Sequence, residues 1–445
     1  MHSIKNRLRD IKDPRSKKAV KNVVVSFGLK GLSMFFSFIL VPLTLSYLTQ
    51  YEYGVWLTLS SILVWLDFFD IGLGNGLRNK LTECIAQGEW DKGRSYVSTT
   101  FFILCIIGVI VVFLFYIFSY YVDWAVVLNT SDNPIPKLRE IVLIVFVLCV
   151  INFVMKTVGT IFIANQEPMV SNMFSCFGQA ISILLIYLLT KLTNGSLMYV
   201  AICFSVSPII VYLVSYPYAF KYRFPQLTPS IKHVNLHLVK DIAGIGLQFF
   251  LIQVVCLILY QSSNIIIAQL FSPSEVTPYN IGYRYMNLIT MLFMIIITPL
   301  WSAITDAYVK NDIMWIRRSI SLLIKIWLGF SILVVVFFLL SSFFIKLWVG
   351  ESIIVPKHIL FAIGSFVVVD MWNRIFASFA NGISHLKVQL YSAALEGVLF
   401  IPLAILLSKS FGVAGVAWSL MLVSLIPSIA LFVDYHRCIK LENNG

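Results

Sequence analysis

Residues 20–48 read VKNVVVSFGLKGLSMFFSFILVPLTLSYL, an apolar run of about 29 residues behind a strongly basic start. At 1.5 Å per residue, ~20 apolar residues in a helix cross the ~30 Å hydrocarbon core of a bilayer. The run is about twice the length of a signal-peptide apolar region and lacks a small-residue cleavage site, so it reads as a retained first helix. Working outward, similar runs recur at 54–77, 97–121, 139–164, 169–190, 197–220, 242–271, 277–306, 316–346, 356–382, 386–408 and 412–436. These lengths exclude barrel strands, which are ~10-residue alternating segments. The chain is expected to be an all-α integral membrane protein of about twelve transmembrane helices.

Composition agrees. Of 445 residues, 59% are apolar and 12% charged, against about 25% charged in a soluble domain. Seven cysteines lie far apart with no CxxC or metal-ligand spacing, so no metal or disulfide framework is expected.

The net charge of +12 is uneven: residues 1–21 hold eight of the 33 Lys and Arg. In a membrane protein such a segment is a cytoplasmic topology signal attracted to anionic lipid, not a nucleic-acid arm. With both termini inside, 22 basic residues lie on the cytoplasmic side and six (Lys137, Arg139, Lys191, Lys346, Lys357 and Lys409) on the other. That asymmetry sets the expected orientation.

An internal repeat follows. At an offset of 223 residues, Glu52 matches Glu275, Trp56 matches Tyr279, Thr82-Glu83 matches Thr305-Asp306, Glu89 matches Asp312 and Arg94 matches Arg317. A 6+6 parallel duplication accounts for order, spacing and topology together, and paired halves are a transporter architecture. The division reads as a basic segment 1–21, a six-helix bundle 22–220, a linker 221–241, a second bundle 242–436 and a tail 437–445.

Ionisable residues inside membrane helices cost about 2.5–3.5 kcal/mol each by insertion scales and need a reason. Helix faces carry Lys30, Ser33 and Ser37; Asn152, Lys156 and Thr160; Gln253, Tyr260 and Asn264; Asn280, Arg284 and Asn287; Asp370 and Arg374; and Gln389, Ser392 and Glu396. Interhelical hydrogen bonding explains most of the uncharged ones. Asp370 and Arg374, at i,i+4, can neutralise each other. Lys30, Lys156 and Arg284 lie well inside their segments and point to a wet, net cationic cavity suited to an anion. DIGLGNGLRN (Asp70–Asn79) places Asp70, Gly74 and Arg78 on one face, so irregular backbone is expected near Gly72–Gly76, or else close packing of small residues. Pro42 is a candidate bending point in the first helix. No phosphate loop, HExxH or nucleophile elbow occurs.

LDFFDIGLGNGLRNKLTECIAQGEWDKGRSYVSTT (Leu66–Thr100), VPLTLSYLTQYEYGVW (Val41–Trp56) and LFSPSEVTPYNIGYR (Leu270–Arg284) resemble the polysaccharide transporter family, the O-antigen or Wzx-type flippases. The resemblance implies the fold of the MOP superfamily, shared with MATE exporters and the lipid II flippase: two six-helix bundles around a central cavity. It implies a substrate of undecaprenyl-pyrophosphate carrying an O-antigen or capsule repeat unit, flipped outward across the bacterial inner membrane by alternating access. Polysaccharide polymerase and chain-length proteins are the implied partners, with no nucleic acid.

No family motif assigns the site, so the assignment rests on the polar stripes. Lys30, Lys156, Arg284 and Arg374 are expected at the pyrophosphate. Ser33, Ser37, Asn264, Asn280 and Asn287 are expected to line the cavity. Pro42, Asp70, Gly74, Arg78 and Glu396 are expected in gating or coupling. No cofactor is expected; the drive would be the membrane potential or an H+ or Na+ coupling ion. A MATE-like drug or ion antiporter predicts an anionic cavity instead. A membrane enzyme of polymerisation or ligation predicts a large external loop, and the longest here, about 122–138, is short.

Overall fold

Within hydrocarbon every backbone N–H and C=O needs a partner inside the protein, and long apolar runs find it as helices. The computed structural model describes residues 14–64, 66, 73–165, 167–241, 261–309, 311–383, 385 and 387–441. The helices are α1 (Pro14–Leu45), α2 (Gln50–Leu63), α3 (Leu73–Gln87), α4 (Trp90–Tyr121), α5 (Leu138–Met155), α6 (Thr157–Ala164), α7 (Pro168–Leu192), α8 (Leu197–Pro217), α9 (residues 261–270), α10 (Pro273–Val309), α11 (Ile313–Val349), α12 (Lys357–Gly382), α13 (Lys387–Phe411) and α14 (Ala414–Leu441). Among the described residues there is no strand, and ten helical spans are long and apolar enough to cross a membrane.

Two of the twelve expected segments fall outside those ten. The 54–77 segment is shared between α2 and α3, and the 242–271 segment enters the described residues only at 261. The 54–77 segment is not one helix: α2 ends at Leu63 and α3 starts at Leu73, with Gly74 and Gly76 inside α3. Leu73, Leu77 and Leu81, one turn apart, are all buried in the same core and hold α3 despite its glycines. Asp70 and Gly72 lie outside the described residues.

The chain folds as two units, Met1–Thr49, Leu63–Ala125 and Pro134–Phe250 in the first, Gln50–Ile62, Val126–Asn133 and Leu251–Gly445 in the second. So α2 stands in the first half of the sequence and packs in the second unit. In the first unit α1 packs on α7, α8 on α5 and α7, and α3 on α4 and α6. Phe162 anchors its core, with the Phe174 ring 5.7 Å and the Phe224 ring 5.2 Å away. In the second unit α14 packs on α12 and α13, and α12 on α10 and α11. Trp327 and Trp372 meet at 4.9 Å there, and the Trp327 Nε1 donates to the Val368 carbonyl.

The outside of these helices is apolar. Val109, Phe113, Tyr116 and Tyr120 form an exposed stripe along α4, and Ile332, Leu339, Phe343 and Leu347 another along α11. In water such stripes would drive association; against lipid tails they are the expected surface. With 32 and 37 residues, α4 and α11 run about 48 and 56 Å. Both exceed the ~30 Å core and must tilt or project beyond it.

The repeat is written in the backbone. After α3, Gly88 takes φ +74°, its N–H donates to the Ile85 carbonyl, and the Glu89 N–H to that of Cys84 at 2.9 Å. At the 223-residue offset, Asn311 takes φ +57°, its N–H donates to Tyr308, and the Asp312 N–H to Ala307 at 2.9 Å. Both are Schellman turns, which need a left-handed residue, and glycine or asparagine supplies it. Glu89 and Asp312 then start α4 and α11 at φ, ψ of −83°, 66° and −87°, 68°. Further on, with the offset reduced to 218, the Glu167 N–H donates to Phe162 and the His385 N–H to Ala380.

The first turns of α2 and α10 meet reciprocally within the second unit. Thr277 Oγ1 donates to the Gln50 carbonyl at 2.8 Å, and Gln50 Nε2 donates to that of Ser274 at 3.0 Å. In return, a β-carbon built on Gly54 would land on the Pro273 carbonyl. Since Gln50 corresponds to Pro273 and Gly54 to Thr277 at the offset of 223, each helix offers the same position to the other's first carbonyl.

Candidate functional site

A cavity of about 240 Å³ opens in the second unit between α9, α10 and α14, lined by Gln261, Ser263, Asn264, Tyr279, Asn280, Tyr283, Arg284 and Leu420. Helical spacing builds its wall: Asn280 and Arg284 are one turn apart, as are Tyr279 and Tyr283, whose rings stack at 6.4 Å. Arg284 is half-buried and within electrostatic reach of the buried Tyr53 of α2.

A chain of side-chain hydrogen bonds fixes the floor. Ser61 Oγ donates to the Leu57 carbonyl at 2.8 Å and accepts from Asn264 Nδ2 at 2.7 Å. Asn264 Oδ1 then accepts from Asn280 Nδ2 at 2.6 Å, and Asn280 Nδ2 also donates to the Val276 carbonyl. Because the serine hydroxyl has one proton and spends it on Leu57, both amide orientations follow. The chain ties α2, α9 and α10 together beneath Arg284. Asn287, one turn beyond Arg284 on α10, is half-buried. Guanidinium, amide and phenol donors around a cavity are the groups that hold a phosphate-type anion.

A second polar cluster lies deeper in this unit. Arg374 Nε donates to Asp370 Oδ2 at 2.7 Å, so its charge is already matched by its own helix. Buried Glu396 accepts a 2.6 Å hydrogen bond from Ser424 Oγ and lies within electrostatic reach of Asp370. Tyr283 is within reach of both Asp370 and Arg374, which links this cluster to the cavity.

The remaining candidates belong to the first unit. Lys30 is exposed on α1, and β-carbons built on Gly28 and Gly31 would touch nothing, so this face of the helix is open. Ser33 and Ser37 are half-buried nearby. Lys156 sits at the join of α5 and α6, where the Gly159 N–H donates to its carbonyl in a tightened turn. Its Nζ lies 5.3 Å from the centre of the Phe153 ring, a cation–π contact that helps carry a charge among apolar helices. Pro42 lies inside the continuous α1, Gly74 is half-buried in α3, and Arg78 is exposed one turn on.

The cavity thus gathers Arg284, Asn264 and Asn280 as side chains around one space. Arg374 and Glu396 stand in the adjoining cluster, and Lys30 and Lys156 in the other unit. Gln261, Ser263, Tyr283, Ser61 and Ser424 were not singled out by the sequence pattern. The i,i+4 spacing of Tyr279 and Tyr283 was the available signal.

Comparison with known proteins follows the same lines. Residues 19–305 match the family described as polysaccharide biosynthesis protein. A "Putative O-antigen transporter" of Salmonella typhimurium is 22% identical over 403 residues, covering 87% of this chain and 88% of the relative. A "Putative O-antigen export protein" of Yersinia pseudotuberculosis is 22% identical over 438 residues, covering 92% of each. Among solved structures, an inward-facing multidrug resistance MATE family transporter of the MOP superfamily has a TM-score of 0.74 at 16% identity, covering 96% of this chain and 99% of its own. The lipid II flippase MurJ in an inward closed conformation has a TM-score of 0.75 at 13% identity, covering 94% and 87%. At such identities the structural likeness is one of fold. The match to the sequence family runs through most of the chain, from α1 into α10, and by it the chain belongs to the polysaccharide biosynthesis protein family.

Proposed function

We propose that this chain is a flippase that carries an oligosaccharide linked to undecaprenyl pyrophosphate from the cytoplasmic to the periplasmic leaflet. It is a transporter, not an enzyme, and a multi-pass protein of the bacterial inner membrane. The observation that carries the reading is the half-buried Arg284 over a hydrogen-bonded amide floor, inside a unit made of membrane helices. A guanidinium beside amide donors can hold a pyrophosphate diester by charge-assisted hydrogen bonds. The relatives named for O-antigen transport and export support this substrate class.

In this mechanism Arg284 holds the pyrophosphate, with Asn264, Asn280 and Asn287 offering hydrogen bonds to it or to the first sugar. Lys30 and Lys156 supply further positive charge, and Arg374, paired with Asp370, contributes less. The polyprenyl tail stays in lipid throughout. Moving two negative charges outward across ~100 mV releases roughly 4–5 kcal/mol, so the membrane potential supplies much of the drive. Asp70 or Glu396 is the group through which an H+ or Na+ would couple. Polymerase and chain-length proteins would take up the flipped repeat units.

The deciding experiment deletes the gene and analyses lipid-linked intermediates. Complete repeat units should accumulate on the cytoplasmic leaflet and clear on complementation. Incomplete units would place the protein in synthesis, and normal export with altered drug sensitivity would favour a MATE-like exporter.

A further inference from the structure

Away from the cavity, three side chains that can bind metal converge at one corner of the second unit. His385 follows α12, and Asp434 and Cys438 lie one turn apart on α14. His385 Nδ1 is 3.1 Å from Asp434 Oδ2 and 3.7 Å from Cys438 Sγ, and all three ligand atoms lie within 4.8 Å of one another. Asp434 is buried, whereas His385 and Cys438 are partly exposed, which leaves a path for an ion.

The equivalent place in the first repeat serves as an internal control. There Glu167 follows α6 and occupies the position that matches His385 in the backbone repeat, and it is clipped to Arg223, in the turns that continue α8, by an ordinary ion pair. Each repeat therefore ties a turn, after α6 in the first and after α12 in the second, to the end of its last helix. The first does so with a carboxylate and a guanidinium, which cannot bind a metal together. The second replaces them with imidazole, carboxylate and thiol.

Nδ1 faces both groups, donating to Asp434 when protonated or accepting from Cys438 when not. A single cation placed between them can take all three as ligands at once. Tetrahedral zinc, with Zn–N near 2.0–2.1 Å and Zn–S near 2.3 Å, sets ligand-to-ligand edges of about 3.3–3.7 Å. The two edges at His385, 3.1 and 3.7 Å, are close to that, and the third, between Asp434 and Cys438, lies within 4.8 Å. A thiolate in the set disfavours Mg2+ and Ca2+, which take oxygen ligands.

We infer that His385, Asp434 and Cys438 form a three-ligand site for a divalent transition-metal ion of the zinc class, with the fourth position open to water. His385 binds through Nδ1, leaving Nε2–H outward. The ion fastens the turn after α12 to α14, the role that the Glu167–Arg223 pair has in the first unit.

The test uses the full-length protein in detergent, with its affinity tag removed, stripped with chelator, loaded with Zn2+ and desalted. Metal content is measured per chain, alongside the thermal unfolding midpoint with and without Zn2+. Wild type should hold one more equivalent than Cys438→Ser or Asp434→Asn, and Zn2+ should raise its midpoint but not theirs. Cys84→Ser should behave as wild type. His385→Cys should keep the extra equivalent and His385→Ala should lose it, a contrast that a hydrogen-bonding role would not produce and that still decides the matter if Cys438→Ser is poorly folded. Equal zinc in wild type and the ligand variants, or none in wild type after loading, would overturn the site.

Discussion

The α-carbon of Gly54 lies against the carbonyl of Pro273, with no room for a β-carbon between them. Because the obstacle is backbone and not the end of a flexible side chain, no rotamer change relieves it. Gly54→Ala should push α2 from α10 and break the Thr277 and Gln50 hydrogen bonds as well, at a cost of about 1–3 kcal/mol. The readouts are protein abundance in the membrane and the thermal midpoint in detergent. Gly28→Ala, where the added methyl meets nothing, is the control. Equal stability of the two variants would mean that the α2–α10 contact is dispensable.

Charge at Arg284 should matter more than shape. Arg284→Lys and Lys30→Arg should retain partial transport, whereas Gln at either position should lose most of it, about tenfold or more. Lys keeps the charge but not the planar fork, which is why only partial function is expected. Surface polysaccharide is measured beside protein abundance. Well-expressed Gln variants with normal export would remove these residues from the site.

The amide floor should be separable from the charge above it. Asn264→Leu removes the donor to Ser61 and the acceptor for Asn280, and interhelical hydrogen bonds in membranes are worth about 0.6–1.7 kcal/mol. A small loss of stability with a large loss of transport is expected. If stability and transport fall in proportion, the chain of amides is only a fastening.

Left-handed backbone should dictate what Gly88 and Asn311 tolerate. Gly88→Asn and Asn311→Gly should both be nearly neutral, since each installs the residue used by the other repeat. Gly88→Val should cost about 1–2 kcal/mol. A denaturation series on the purified protein checks the order.

Sidedness follows from the uneven distribution of Lys and Arg. In a cysteine-free background, cysteines at Asn6 and Asn133 should react with an impermeant reagent from opposite faces. Reaction of both from outside would reverse the orientation.

Legibility in the sequence varied with the range of the interaction. Helix positions and the repeat, including the match of Glu89 with Asp312, were readable because they depend on local periodicity and fixed spacing. So was the Asp370–Arg374 pair, set by i,i+4 spacing. Other features were hidden. Ser61 reaches Asn264 across 203 residues, and its hydroxyl in an apolar helix looks like any other small polar residue. His385 meets Asp434 and Cys438 across 49 and 53 residues, where no metal spacing could be seen. At the glycines, the 54–77 segment divides into α2 and α3, and Gly74 and Gly76 fall inside α3, where the buried leucine stripe supports them.

The reciprocal contact of α2 with α10 also has a consequence for biosynthesis. The first turn of α2 is docked by residues that follow it by more than 220 positions, and at ~5–20 residues per second the ribosome needs roughly 10–45 s to deliver them. With 14 residues, α2 is about 21 Å long, too short to span the ~30 Å core as a helix by itself. Its first turn therefore stays without that docking partner through the synthesis of the intervening helices. Membrane insertases or lipid must shelter it in that interval, and a slowly translated or truncated chain would expose it to quality-control proteases.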